Sequence, residues 1–324
     1  CVDEVYNASK IDSTFIDNHA NNGGAIYFNG GISNVTISGL YKGNVAQRGG
    51  GAIFVRGKSM NNNFTADFIA NEARAASGGA VFIYNHADNN TFEGSFADNY
   101  AIYGGAMFFY NKANSNVFNS EFVNNTAKSC GGAIFFYNTT DGNNFTGDFT
   151  ANSALGEVDE SVGNGGAITF KDTSSNSIFA CDFINNTANL NGGGVNYRQT
   201  PYNITFNSNF INNTSPRGGG VNFFDTFGSV VTFGNHFHFE LRRFYRIAFA
   251  NHGTKHTVTT KFRIGCYQQV AQVGGILNIT GIVTGCRFYK ACHFANAVRY
   301  QNSLKVITVF KPVANTRCNG IHIF

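Results

Sequence analysis

The sequence predicts an all-β chain: a parallel β-helix (solenoid) of about eight rungs of about 27 residues, followed by a non-repeat segment of unassigned fold. Three observations carry that prediction. Gly-Gly followed by a small residue recurs, with the small residue at Ala25, Ala52, Ala80, Ala106, Ala133, Ala167, Gly194 and Gly220. In step with it runs an aromatic followed three residues later by Asn, from Phe15/Asn18 and Tyr41/Asn44 through Phe122/Asn125 to Phe210/Asn213. Between these landmarks apolar residues alternate with period two, not with the 3.6 of a helix.

Each rung opens with a strand. Four residues before the landmark aromatic stands another apolar residue, such as Ile37, Phe64, Phe92 or Phe118, and the residue midway is always small, as in Gly39, Ala66, Gly94 and Ser120. Positions i, i+2 and i+4 share one face of a strand, so each rung is expected to point large, small, large inward. After Gly-Gly comes a second strand with two apolar positions expected inside, Ile53 and Val55 in one rung and Ile134 and Phe136 in another. A unit of this size has too little surface to bury its own apolar face, so copies must stack, each strand pairing with its copy at roughly 4.8 Å. Gly-Gly supplies backbone freedom at one corner. At the other, the landmark Asn is expected to take left-handed conformations and to hydrogen-bond to its copies above and below. Helical repeats of similar length are excluded by the alternation and by the density of Gly and Asn.

The pairing of Gly-Gly-Ala-Ile with Phe-x-x-Asn, here Gly131-Gly132-Ala133-Ile134 beside Phe122 and Asn125, resembles the adhesin-like surface proteins of methanogenic archaea. It is also similar to the passenger repeats of chlamydial polymorphic membrane proteins. The resemblance covers about residues 7–225. It implies a right-handed, pectin-lyase-like β-helix that is secreted or held at the cell surface, with an attachment or envelope role and no catalysis. The partners it implies are a host or neighbouring-cell surface glycan or protein, and the cell envelope. The last two rungs depart from it, reading Gly-Gly-Gly.

Composition supports a folded chain. Of the 324 residues, 43% are hydrophobic and 15% aromatic, enough for a substantial core, and no apolar run approaches a membrane span. The formal charge of +4 hides a split. Residues 1–225 carry 11 Lys+Arg against 18 Asp+Glu, net −7, and residues 226–324 carry 12 against 1, net +11. Asparagine divides likewise, 38 against 7, so the expected domains are a repeat domain over 1–225 and a basic non-repeat segment over 226–324. The abrupt change in that last segment also matches a spurious or frameshifted continuation. The seven cysteines form no disulfide framework, and the start at Cys1 points to a fragment or processed form.

Stacking turns outward positions into columns, and two columns are candidate sites. Glu121, Asp148 and Asp182 are expected on consecutive rungs, where converging carboxylates would suit a glycosidase-like acid and nucleophile pair or a Ca²⁺ ion. The plain alternative, a solvated acidic stripe, is preferred because no substrate-shaping set recurs beside it. Tyr27, Phe54, Phe82, Phe108 and Phe135 hold one position that later becomes Thr169, Asn196 and Asn222. That position is therefore placed outward, giving an aromatic ladder that would stack on sugar rings or dock a protein; the plain alternative, which is preferred, is that the rings stabilise the sheet by stacking on each other or lie under another segment. An insertion over 153–164 brings Glu157, Asp159 and Glu160, whose three carboxylates would suit Ca²⁺, although a plain tolerated loop is the preferred reading. His236, His238, Cys266, Cys286, Cys292 and Cys318 match no recognised zinc spacing, so no metal or cofactor is expected, and the scattered basic residues form no nucleic-acid patch. Asn-x-Ser/Thr sequons are dense, among them Asn34, Asn89, Asn124, Asn185 and Asn212, as the composition alone would produce.

Overall fold

The computed structural model describes residues 9–157, 163–199 and 201–224, together with short strands from Val230–Phe233 to Lys305–Ile307. The described chain is all-β, a parallel solenoid of about eight turns of about 27 residues. One turn holds four short strands, where the sequence predicted two: Thr91–Ala97, Tyr100–Tyr103, Met107–Phe109 and Ala113–Asn114. Each lies parallel to its copy one turn on, with Phe92 opposite Phe118, Phe96 opposite Phe122, Tyr100 opposite Thr126, Met107 opposite Ile134 and Ala113 opposite Thr140. The third face alone is an eight-stranded sheet in strict rung order, from Ile26–Phe28 to Val221–Phe223.

The interior is a set of aromatic columns. Phe122 and Phe149 stack at 4.7 Å between centroids and 2°, and Phe149 and Phe183 at 5.1 Å and 7°. Phe118, Phe145 and Phe179 form a parallel column at 4.7 and 4.5 Å. From the third face, Phe109 and Phe136 meet that column edge-on, 90° to Phe118 and 85° to Phe145. Stacking within columns and edge contact between them are both favoured ring geometries, and each buried Phe contributes about 2–3 kcal/mol. The second face lines its inside with alanine, Ala46, Ala73, Ala101, Ala127 and Ala154 all fully buried, a column the sequence reading passed over.

The large, small, large expectation holds for the large residues. In some rungs the small one also marks a bend: the first face splits into Asn144–Phe145 and Phe149–Thr150 around Gly147, and a Cβ there would land on the carbonyl of Ser120. Ala66, Ser120 and Cys181 are buried at this position, whereas Ser13 and Gly39 are exposed.

The asparagine corner is where the chain gains its most regular bonds. Each landmark Asn accepts, through Oδ1, both the backbone N–H and the Nδ2 of the Asn one rung before it. The series runs from Asn18 through Asn44, Asn71, Asn99, Asn125 and Asn152 to Asn186 and Asn213. Nδ2 also donates to the aromatic carbonyl of the previous rung, as Asn125 does to Phe96 at 2.8 Å. A second ladder, unforeseen from sequence, joins Asn62, Asn90, Asn116 and Asn143 at the other end of the first face. The left-handed residue is not the landmark Asn but the one before it: Asp98, Asn124, Ala151 and Asn185 have φ of 54–57°. The landmark Asn is needed as a fully buried bridge, so the turn conformation moves to its neighbour.

Six sequon asparagines, Asn34, Asn89, Asn124, Asn185, Asn203 and Asn212, occupy left-handed slots. The slot favours Asn, the next residue is buried, and after Asn34, Asn89, Asn124 and Asn185 Thr opens the following strand, so the sequon follows from corner geometry.

The first sheet does not stop at Asp225. Val230–Phe233 pairs in register with the eighth turn, Val231 opposite Ile204 and Phe233 opposite Phe206. Pairing needs only backbone groups, with Val231 buried against the turn before it, so the sheet continues where the Asn and Gly-Gly landmarks have ended.

Replacing Asn125 by Ala strands the Asn99 N–H and amide, which both donate to it. The expected loss is about 3 kcal/mol in urea unfolding followed by circular dichroism, against about 1 kcal/mol or slightly more for Asn124→Ala at the exposed left-handed slot. Equal losses would refute the bridging role. The hydroxyls of Tyr41 and Tyr197 are buried without partners, and burial raises both pKa values well above the usual phenol value. A folded pKa raised above the unfolded one gives stability that is complete below the unfolded value, about 10, and is lost as pH climbs beyond it. The double variant Tyr41→Phe/Tyr197→Phe is therefore expected to keep or slightly raise the thermal midpoint at pH 7 and to move alkaline unfolding to higher pH.

Candidate functional site

The register places Glu121, Asp148 and Asp182 in one outward column, immediately before the stacked Phe122, Phe149 and Phe183. Glu121 and Asp148 are exposed and Asp182 half-buried. Two of the three carboxylates staple rungs. Asp148 Oδ1 accepts the backbone N–H of Asp182 at 2.7 Å, and Asp182 Oδ1 accepts the backbone N–H and Nδ2 of Asn209 at 3.1 and 2.9 Å. Asp67 does the same for Ser95 at 3.0 Å in an earlier rung. Beneath the column, burial pushes the Cys181 thiol well up, and the charges of Asp148 and Asp182 add to the effect. That thiol is therefore held protonated. Glu157 of the insertion is exposed, while Asp159 and Glu160 lie outside the described residues, as do His236, His238 and the four cysteines of the last segment. Among the described residues no group of three or more His, Cys, Asp or Glu is placed to hold a metal ion.

The aromatic ladder needs correcting. Tyr27, Phe54, Phe82, Phe108 and Phe135 do point away from the main core, but they are not an exposed stripe: Phe54, Phe82, Phe108 and Phe135 are 3–9% exposed and only Tyr27 is half-buried. They form a second apolar cluster with Cys130, flanked by Tyr27, Tyr103 and Tyr137. The cause is the Gly-Gly corner. Gly131 has φ of 67°, and a Cβ on it would land on the carbonyl of Ile134 three residues on, so the chain turns tightly there. The end of the second face then folds beside the outward side of the third and covers its rings. In later rungs the same pocket is polar, with Thr169 donating to the Asn164 carbonyl at 2.5 Å and Asn222 Nδ2 to Asn196 Oδ1 at 2.8 Å. The switch from Phe to Thr and Asn, read as a sign of exposure, is a change of partner inside a closed cluster.

Exposed aromatics lie two residues farther along. Tyr84 and Tyr110 are 44% and 38% exposed, and with half-buried Tyr137 they stack at 4.8 Å and 4°, then 4.9 Å and 14°. Tyr occurs at this position in three consecutive rungs, a signal the sequence reading missed because it followed the third-face strand only to its second inward residue.

Residues 12–29 and 119–137 each match the Chlamydia polymorphic membrane protein repeat. Both matches begin in one column of the first face, where Asp12 and Asn119 stand. Both end in the column that follows the third face, at Asn29 and Tyr137. The matched unit is thus one structural span: first face, asparagine corner, second face, Gly-Gly corner, third face. Such repeats come from surface-exposed outer-membrane proteins, and the similarity is consistent with a cell-surface location. No curated protein and no solved structure gives a significant match. Among the described residues no helix is long and apolar enough to cross a membrane.

Phe108 separates the two placements of the aromatic ladder. As a covered residue, Phe108→Ala is expected to lower unfolding stability by about 3–4 kcal/mol, whereas an exposed ring would lower it by about 0.5 kcal/mol or less. The midpoint of urea unfolding distinguishes them.

Proposed function

We propose that this chain is the displayed, secreted part of a cell-surface protein that attaches to a host or neighbouring-cell glycan or protein, adhesin-like and without turnover. The observation supporting this reading is that both repeat matches start and stop at the same structural positions, so the likeness follows the built unit of a surface passenger. Kinship with the adhesin-like proteins of methanogenic archaea belongs to the same proposal. The fold suits display: a solenoid grows by adding rungs, each stabilised by its neighbours, and its outward columns repeat whatever chemistry the outer positions carry. The roles found for Asp148 and Asp182 favour attachment over hydrolysis, because one oxygen of each, Oδ1, is engaged by a backbone N–H of the next rung.

The test is a panel of surface glycans and glycoproteins probed with the purified chain, with bound protein and released reducing ends measured together. Retention without cleavage products is the expected result. Release of reducing ends that disappears in Asp148→Asn would replace this reading with a carbohydrate-active enzyme, and retention on no surface would leave a purely structural wall spacer.

A further inference from the structure

The corner between the third and fourth faces carries a feature that attachment in general does not explain. Backbone N–H groups of Arg56, Tyr84, Tyr110, Tyr137, Lys171 and Arg198 each bond to the third-face strand one rung before, which puts these residues in one column. The tyrosine stack is therefore flanked by Arg56 at one end and by Lys171 and Arg198 at the other, and Lys171 Nζ sits 3.3 Å from the centroid of the Tyr137 ring. Two residues on, Lys58, His86 and Lys112 form an adjoining column. Arg56, Lys58, Tyr84, Tyr110 and Lys112 are exposed.

This corner is basic in a region whose net charge is −7 over residues 1–225, with 11 Lys+Arg against 18 Asp+Glu. Among the described residues the ion pairs are Lys10 with Asp12 and Arg74 with Glu72, both on other faces. The carboxylates near it are Asp172, which takes a hydrogen bond from Gln199 at 3.3 Å, and Asp88 and Asp141 on the adjoining fourth face, where Asp141 accepts from Ser175 and Asn176 at 2.7 Å. A concentration of cations lacking ion-pair partners calls for an anionic ligand.

The ring geometry narrows the class. Tyr84, Tyr110 and Tyr137 spend their faces on one another, so nucleobases, which need a free aromatic face, find none between them. What remains outward is a series of ring edges and hydroxyls, each followed by a half-buried Asn; Asn85 and Asn138 accept the next backbone N–H through Oδ1, and Asn138 Nδ2 donates to Asn111 Oδ1 at 3.4 Å. One such pair recurs per rung, at 4.8–4.9 Å between rings. An extended acidic peptide advances about 3.3 Å per residue and drifts out of step with that spacing. An extended pyranose chain advances by close to one rung per sugar and offers hydroxyls to each pair and carboxylates to the flanking cations.

We infer that this corner binds an acidic, uronate-bearing polysaccharide laid along the solenoid axis, with sugars hydrogen-bonded to the Tyr-Asn pairs and carboxylates held by Arg56, Lys58, Lys112, Lys171 and Arg198. The inference rests on the surface-attachment reading and names its ligand class. Calorimetric titration of the full chain with hexa-galacturonate, cellohexaose and a poly-Glu peptide tests it. Hexa-galacturonate is expected to bind saturably, and cellohexaose not to bind. Binding is expected to weaken at least tenfold in Lys171→Gln/Arg198→Gln and, independently, in Tyr110→Ser, with unchanged circular dichroism. Lys128→Gln, on the second face, leaves it unaltered. Absence of hexa-galacturonate binding, equal binding by the corner variants, or equally tight poly-Glu binding overturns the inference. Retention of the same preparations on cell-surface glycoproteins is measured in parallel. Retention that persists without hexa-galacturonate binding defeats the ligand class and leaves attachment standing.

Discussion

A fully buried asparagine has amide and backbone polar groups to satisfy and no water to satisfy them. In this solenoid Asn44, Asn71, Asn99, Asn125, Asn152 and Asn186 are all in that position. Each is satisfied by the copy above and the aromatic carbonyl below, as Asn152 is by Asn186 and by Phe122. The arrangement works only if every rung contributes the same residue at the same height. A slip of one residue would bury several unpaired amides at once, at about 1–3 kcal/mol each. The polar corner therefore sets the register, and the aromatic columns inherit it. Hydrophobic burial supplies most of the stability, but rings alone would tolerate sliding that the asparagines forbid.

The insertion between the fifth and sixth Gly-Gly landmarks shows how firmly that register holds. Ser153 to Asn164 lengthens one turn, yet Asn152 still reaches Asn186 at 3.0 Å and Phe136 still stacks on Phe170 at 4.9 Å. In sequence the added length falls between Ala154 of the second face and Gly165 of the Gly-Gly corner, and pairing resumes at Asn164, which bridges to Asn191. Loops at such points lengthen with little entropic penalty, because the rungs on either side are already fixed.

Function follows the outer positions. The acidic column supplies rung-to-rung acceptors, the outward phenylalanines close a second cluster behind the glycine corner, and the tyrosine and cation columns beyond that corner face solvent. Three columns that look alike as repeated outward residues thus do three different things. What separates them is the path of the chain around the corners.

The sequence by itself determined the strand phase, the period, the stacking and the interior rings, because period-two alternation and one landmark pair per rung admit no other packing of so short a unit. It also marked Asn125 and its copies as ladder residues. Only the tertiary structure decided that the turn has four faces, that Asn124 and not Asn125 takes the left-handed backbone, and that Phe54, Phe82, Phe108 and Phe135 are covered while Tyr84 and Tyr110 are open. Alternation tells which side of a strand a residue leaves from. Whether that side meets water depends on how sharply the chain turns at Gly-Gly and what it folds back, which is a property of the closed coil and not of any one strand.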